Sequence, residues 1–154
     1  QKNLEIDIAI VMEDRILLAD IKDWFGDISS SNDLWLQNGK SKGRSPARKI
    51  SDNAKILATE LRKRYNKTPP YPYVDHCVIM TGECNFDKVN EKERCRIFKI
   101  NDFCKFISNH YARNTHLPHP CQDRKIFDFT NKFWKEALEK YFRGGKFKPQ
   151  EMHS

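Results

Sequence analysis

Residues 4–24, LEIDIAIVMEDRILLADIKDW, hold two apolar runs separated by the short polar segment Met12-Glu13-Asp14. In LEIDIAIV (4–11), Leu4, Ile6, Ile8 and Ile10 alternate with Glu5, Asp7, Ala9 and Val11, the period-two pattern of a strand. RILLADIK (15–22) reads as a second strand, with Leu18, Asp20 and Lys22 on one face. So short and polar a connection suits a hairpin. With Glu13 and Asp14 at its tip, Met12 faces Arg15, Asp7 falls opposite Asp20, and Glu5 falls opposite Lys22. Opposed residues on antiparallel strands share a face, with Cβ atoms roughly 4.5–5.5 Å apart. Two carboxylates are therefore expected side by side, with a lysine one step away. A slip of one residue would separate them.

Like charges in that position destabilise a sheet unless something neutralises them. A divalent cation does so, and an all-oxygen site suits Mg²⁺ or Mn²⁺. A neighbouring lysine can orient or deprotonate a water, or stabilise charge developing on a phosphate. The plainer reading is the solvated face of an antiparallel sheet, with Glu5 and Lys22 an ordinary cross-strand ion pair. The apolar content of the second strand (Ile16, Leu17, Leu18, Ala19, Ile21) argues against full solvation.

The 154 residues suffice for one domain spanning 1–154, and 38% apolar content with ten Phe and three Trp calls for a packed core. The opening QKNLEID runs straight into a strand pattern, as expected of a fragment of a longer multidomain chain. No apolar run approaches the ~18 residues of a membrane span, and no signal peptide opens the sequence, so no membrane partner is expected. Net charge +7 and pI about 9.2 are compatible with a polyanionic partner. Five irregularly spaced cysteines without a CxxC suit reduced thiols in a cytoplasmic protein. His116, His119 and Cys121 lie close together in HLPHPC, but a second ligand pair at zinc spacing is absent. A Pro-rich loop with ordinary histidines is the expectation there.

Gly26 breaks the chain, and DISSSNDLWLQ (27–37) reads as a second, weaker hairpin. Residues 39–49, GKSKGRSPARK, carry Lys40, Lys42, Arg44, Arg48 and Lys49 without an acid, and two glycines suggest a mobile loop in the first half. Ser45 as cap and Pro46 at the first helical position open a helix, with Ile50, Ala54, Leu57, Ala58 and Leu61 on one face to about Tyr65. TPPYP (68–72) stops it. The apolar run Cys77–Met80 suits a buried strand, and RCRIFKI (94–100) another. NDFCKFISNHY reads as a helix capped by Asn101 or Asp102, with Phe103, Phe106 and Ile107 as its apolar stripe. A last helix is expected from about Asp128 to Phe142, with Phe129, Phe133, Ala137 and Tyr141 at helical spacing and RGGK ending it. No internal repeat is present. The order predicts an α/β domain, a mixed sheet with helices packed on it.

EIDIAIV followed by LLADIKDWFGDI resembles the nuclease-related domain family (NERD), a branch of the PD-(D/E)XK nuclease superfamily. There an E-(I/L)-D strand precedes a strand ending in (E/D)-x-K, then a tryptophan and a glycine, matched by Trp24 and Gly26. Ser45-Pro46-x-x-Lys49 is similar to the family's N-P-x-x-Q, with serine for asparagine and lysine for glutamine. The strand at 74–80 matches the following core strand, so the resemblance covers roughly residues 4–80. It implies a restriction-endonuclease-like mixed β-sheet flanked by α-helices. It further implies Asp7 and Asp20 as metal ligands, Lys22 as catalytic lysine, Glu5 as an auxiliary acid, and Mg²⁺ (or Mn²⁺)-dependent phosphodiester hydrolysis in DNA. Relatives are fused to kinase or helicase modules, some in phage defence.

Two other readings stand beside the nuclease. One is a catalytically silent module that binds DNA or a partner and regulates a fused kinase or helicase; the other is a basic scaffold without nucleic-acid function. Lys40, Lys42, Arg44, Arg48 and Lys49 are candidate phosphate contacts, aided by the free amides of the helix N-terminus. Positive side chains there oppose the helix dipole and invite a functional reason, although a solvated basic loop is the plainer one. Trp24 and Trp35 could stack on bases, with core packing the plainer role. A double-strand break would call for a homo-oligomer, since nicking needs one site and a full break two.

Overall fold

Ile16, Leu17, Leu18 and Ala19 are all buried because the strand that carries them has neighbours on both edges and cover on both faces. The computed structural model describes residues 5–12, 14–65, 71–109, 117 and 132–143. Among them are strands β1 (Ile8–Val11), β2 (Ile16–Lys22), β3 (Gly26–Ser31), β4 (Leu34–Gln37), β5 (Lys40–Arg44), β6 (Val74–Met80), β7 (Cys84–Lys88) and β8 (Ile97–Lys99). The helices are α1 (Pro46–Arg64), α2 (Glu91–Arg94), α3 (Ile100–Ser108) and α4 (Lys132–Arg143).

The first sheet has the order β1-β2-β6-β8, with β1 antiparallel to β2 and the rest parallel. The hairpin register is the expected one: Ile8 pairs with Ala19 and Val11 with Ile16, and the Met12 N–H donates to the Arg15 carbonyl at 2.8 Å. One face packs Ile16, Leu18, Val78 and Met80 against Ile50, Ala54, Leu57 and Leu61 of α1 and Trp134 and Leu138 of α4. The other packs Leu17, Ala19, Cys77 and Ile79 against Phe103 and Phe106 of α3. Ile8 and Ile10 join this second cluster, whereas Ile6 joins the first. The chain bends at Asp7, so the single alternation read over residues 4–11 is broken there.

The hairpin expected over 27–37 forms as β3–β4 and grows into a second sheet, β5-β4-β3-β7. Two mixed sheets flanked by helices agree with the restriction-endonuclease-like expectation. Lys40–Arg44, expected as a mobile loop, is instead edge strand β5. The cause is the Asn38-Gly39 turn: both residues have positive φ (49° and 81°), the geometry of a tight hairpin. β7 went unread in the sequence and pairs in parallel with β3. The expected 94–100 strand is shorter, since α2 occupies Glu91–Arg94 and only Ile97–Lys99 pair. α3 begins at Ile100 after Lys99 without a side-chain cap bond, so neither Asn101 nor Asp102 caps it. In α4, Trp134, Ala137, Leu138 and Tyr141 are buried while Phe133 is exposed, and Phe129 lies outside the described residues. α1 begins as expected, with Ser45 Oγ accepting the Arg48 N–H at 3.2 Å and Pro46 in the first turn.

β2 runs into β3 as β6 runs into β7, and the parallel pairing bridges both joints. The Thr81 N–H donates to the Lys22 carbonyl, and the Gly26 N–H to the Glu83 carbonyl, each at 3.0 Å. At the far end, wholly buried Arg15 pairs with Asp14 and Asp75, each at 2.8 Å, and donates to the Leu117 carbonyl; Arg96 also bonds Asp75. Between the sheets, a Cβ at Gly82 would sit 2.4 Å from the Trp24 carbonyl oxygen. Gly82→Ala should therefore destabilise by about 1–3 kcal/mol, because backbone must move to admit the methyl. Gly39→Ala, with open space around it, should cost about 1–2 kcal/mol through its positive φ alone. Thermal melts of the two variants check the difference: only Gly82→Ala should also disturb the Trp24 signal.

Candidate functional site

Asp20 and Lys22 share the α1 face of β2 with Ile16 and Leu18, but lie at its open end. Their side chains keep 23% and 34% exposure, and Lys22 Nζ lies 3.4 Å from Asp20 Oδ2. Asp7, at the bend before β1, turns its carboxylate to β2, where Oδ2 accepts the Ile21 N–H at 2.7 Å. That bond fixes Asp7 beside Asp20, as the cross-strand register anticipates. Burial pushes the Asp20 carboxyl up to about 6, the nearby Lys22 ammonium pulls it back, and the hydrogen bond and charge of Asp7 raise it again. Net, the pair of acids has more negative charge than Lys22 offsets.

Glu5 is not opposite Lys22. The ladder covers Ile8–Val11 only; beyond the bend Glu5 is exposed, its carbonyl accepts from the Asn53 side chain at 3.0 Å, and the acid paired with Lys22 is Asp20. Among the described residues no group of three or more His, Cys, Asp and Glu is arranged around a metal-sized point. The donors present are hard carboxylate oxygens, and burial, with Asp7 beside it, raises the Asp20 carboxyl to about 6. That donor chemistry fits Mg²⁺ or Mn²⁺ at Asp7 and Asp20. His116, His119 and Cys121 lie outside the described residues.

The five basic candidates separate. On β5, Lys40 pairs with Gln37, and by alternation Lys42 shares its face, the one that Trp35 buries on β4. A bulge opposite Trp35, with Gly43 at φ 95°, takes Arg44 off that alternation. Arg44 instead pairs with Asp33 (3.1 Å) and Asp52 (2.7 Å), and Arg48 with Asp33 (3.1 Å) and Glu93 (3.4 Å). Lys40, Lys42 and Lys49 are exposed and make no ion pair among the described residues. Lys42 Nζ lies 5.2 Å from the Trp24 ring centroid, and Lys22 Nζ lies 5.8 Å from the same ring. Trp24 itself packs edge-on against Trp35 at 6.3 Å, so its core role and its contact with the lysines coexist.

Sequence reading missed Glu93, a buried acid from α2. It accepts from Ser45 Oγ (2.6 Å), Asn90 Nδ2 (2.6 Å) and Trp35 Nε1 (3.3 Å), so a protein carboxylate already sits at the α1 N-terminus. Glu93 therefore lies beside the helix start where phosphate contact was expected. His76 on β6 was also unforeseen: burial, and then Arg96, push its imidazole down to about 4, and Nδ1 finds no partner.

The two shifted groups give opposite pH slopes. Asp20, raised, stabilises the fold most below about pH 4 and loses that contribution as pH rises through about 6. His76, lowered, contributes above about pH 6.5 and loses its contribution as pH falls toward 4. In metal-free protein Asp20→Asn should therefore raise stability by about 1–2 kcal/mol at pH 7.5 and leave it nearly unchanged at pH 4. Melting curves across pH 4–8 check this; equal stabilisation at both ends would contradict the assigned environment.

Searches among curated proteins and among solved structures returned no match to the chain. The family model of the nuclease-related domain matches residues 1–81, from the Asp7 strand through β6, including Asp20, Lys22, Trp24 and all of α1. With more than half its length so matched, the chain belongs to the nuclease-related domain family.

Proposed function

We propose that the protein is a metal-dependent nuclease that hydrolyses phosphodiester bonds in DNA at Asp7, Asp20 and Lys22. The observation that carries the reading is the half-buried Asp20 carboxyl, raised to about 6 beside Asp7 and within 3.4 Å of Lys22. An acid pair short of positive charge at the open end of a strand is costly for a fold and useful for holding a cation. A bound Mg²⁺ or Mn²⁺ would supply Lewis acidity at the phosphate and a water of lowered pKa. Asp20 must lose its proton to take the ion, so metal affinity of the free protein should rise as pH passes through about 6. Lys22 is within reach to neutralise charge gathering on a phosphate oxygen. Lys40, Lys42 and Lys49 are available to backbone phosphates, while Arg44 and Arg48 serve Asp33, Asp52 and Glu93.

Plasmid and single-stranded DNA incubated with Mg²⁺ or Mn²⁺ test the reading. Asp20→Asn and Lys22→Ala should each slow cleavage by about 10²-fold or more while DNA binding persists. Cleavage by neither wild type nor variants, with salt-sensitive binding retained, would replace the nuclease with the silent module regulating a fused kinase or helicase. A Lys40→Ala, Lys42→Ala double variant should flatten the salt dependence of binding by about two phosphate contacts. Arg44→Ala should instead lower the melting temperature and leave that slope nearly unchanged.

A further inference from the structure

We propose that Trp24 is a positioning residue that fixes a two-phosphate register on the nucleic-acid strand, with Lys22 at the reacting phosphate and Lys42 at its neighbour. The proposal rests on the nuclease reading only for naming the reacting phosphate. Two ammonium groups, from β2 and from β5, both come within 6 Å of one indole ring. Two cations gathered on one ring leave a surplus of positive charge there, which anions would neutralise. Lys22 has part of its answer in Asp20, whereas Lys42 makes no ion pair among the described residues.

The surroundings tie this pair to one geometry. Trp24 is braced edge-on by wholly buried Trp35, and its carbonyl is backed by Gly82, so the ring cannot drift from the end of β2. Lys42 reaches the ring because it lies on the Trp35 face of β5, and the bulge at Gly43 sends the next cation, Arg44, to Asp33 and Asp52. One lysine is thereby selected from a basic run and set beside Lys22. The phosphates of a strand recur at a regular spacing, one to each nucleotide. A held ring that both lysines touch limits where their ammonium groups lie, which lowers the entropic cost of binding, since free lysine side chains lose much rotamer freedom on binding.

The probe is a 5′-phosphorylated dithymidine, which carries one terminal and one internal phosphate, titrated into the intact chain while lysine side-chain resonances are followed. Lys22 and Lys42 signals should move together and report one dissociation constant. Replacing the internal linkage with an uncharged methylphosphonate should weaken binding by about ten-fold and uncouple the two signals. Lys42→Met should bind both ligands equally weakly. Trp24→Leu should bind the two-phosphate ligand like the one-phosphate ligand, while Trp24→Phe, which keeps an aromatic face, should restore part of the difference. If Trp24→Leu does not fold, Lys42→Met and Trp24→Phe carry the comparison. Response of one lysine alone, or a Lys42→Met variant that still distinguishes the ligands, overturns the proposal. The readout does not involve cleavage. A protein that cuts no DNA but shows the paired response keeps the register and loses the nuclease reading; one that cuts DNA with Lys42 silent does the reverse.

Discussion

The contact between Gly82 and the Trp24 carbonyl controls the architecture, because it lets two parallel strand pairs pass through one bend together. β2 with β6 and β3 with β7 are the same two chain segments before and after the joint, stitched by the Thr81 and Gly26 amides. Side chain at Gly82 would push these segments apart where the sheets meet. From that joint follow the open end of β2, the exposure of Asp20 and Lys22, and the swing of the second sheet that carries Lys42 to Trp24. The site is a consequence of a backbone approach made by residues with no chemistry of their own.

Charge gathers at both ends of β2, with opposite accounting. At the start, Arg15 is enclosed by two carboxylates and a carbonyl, and Asp75 is shared with Arg96, so a costly burial is fully compensated. At the end, two carboxylates face one lysine, and burial together with Asp7 outweighs Lys22, so the Asp20 carboxyl is raised to about 6. A chain able to complete the first network gains nothing structurally from leaving the second unbalanced. This end of β2 lies within the segment that the nuclease-related domain model matches.

Much of this was legible. The turn length fixed the register that puts Asp7 by Asp20, and Ser45-Pro46 marked the start of α1 to the residue. What escaped had identifiable causes. Asn38-Gly39 is a strong hairpin signal, but the lysines around it drew the reading toward a loop. β7 is half-exposed and polar, and its pairing with β3 depends on the joint rather than on its own pattern. The pairing of Glu5 with Lys22 assumed that alternation continued past Asp7, whereas Ile6 is drawn into the other core cluster and bends the strand. Glu93 lies 48 residues beyond Ser45, and no local pattern links them.

Glu93 also changes the charge at the start of α1. A helix whose first turn has Arg48 and Lys49 and no acid looks like an anion site, since its dipole and amides await negative charge. The protein supplies that charge itself: Glu93 is buried against Ser45, Trp35 and Asn90 and takes an ion pair from Arg48. A phosphate arriving there would meet a carboxylate already seated, and like charge would repel it. Arg44 and Arg48, two of the five candidate phosphate contacts, tie α1 to the second sheet through Asp33, Asp52 and Glu93. The lysines of β5 stay exposed on the Trp35 side, and Lys42 meets the Trp24 ring that Lys22 also approaches. A basic run of five residues thus divides into cations that build the fold and cations free to meet a polyanion, and the division is made by partners distant in sequence.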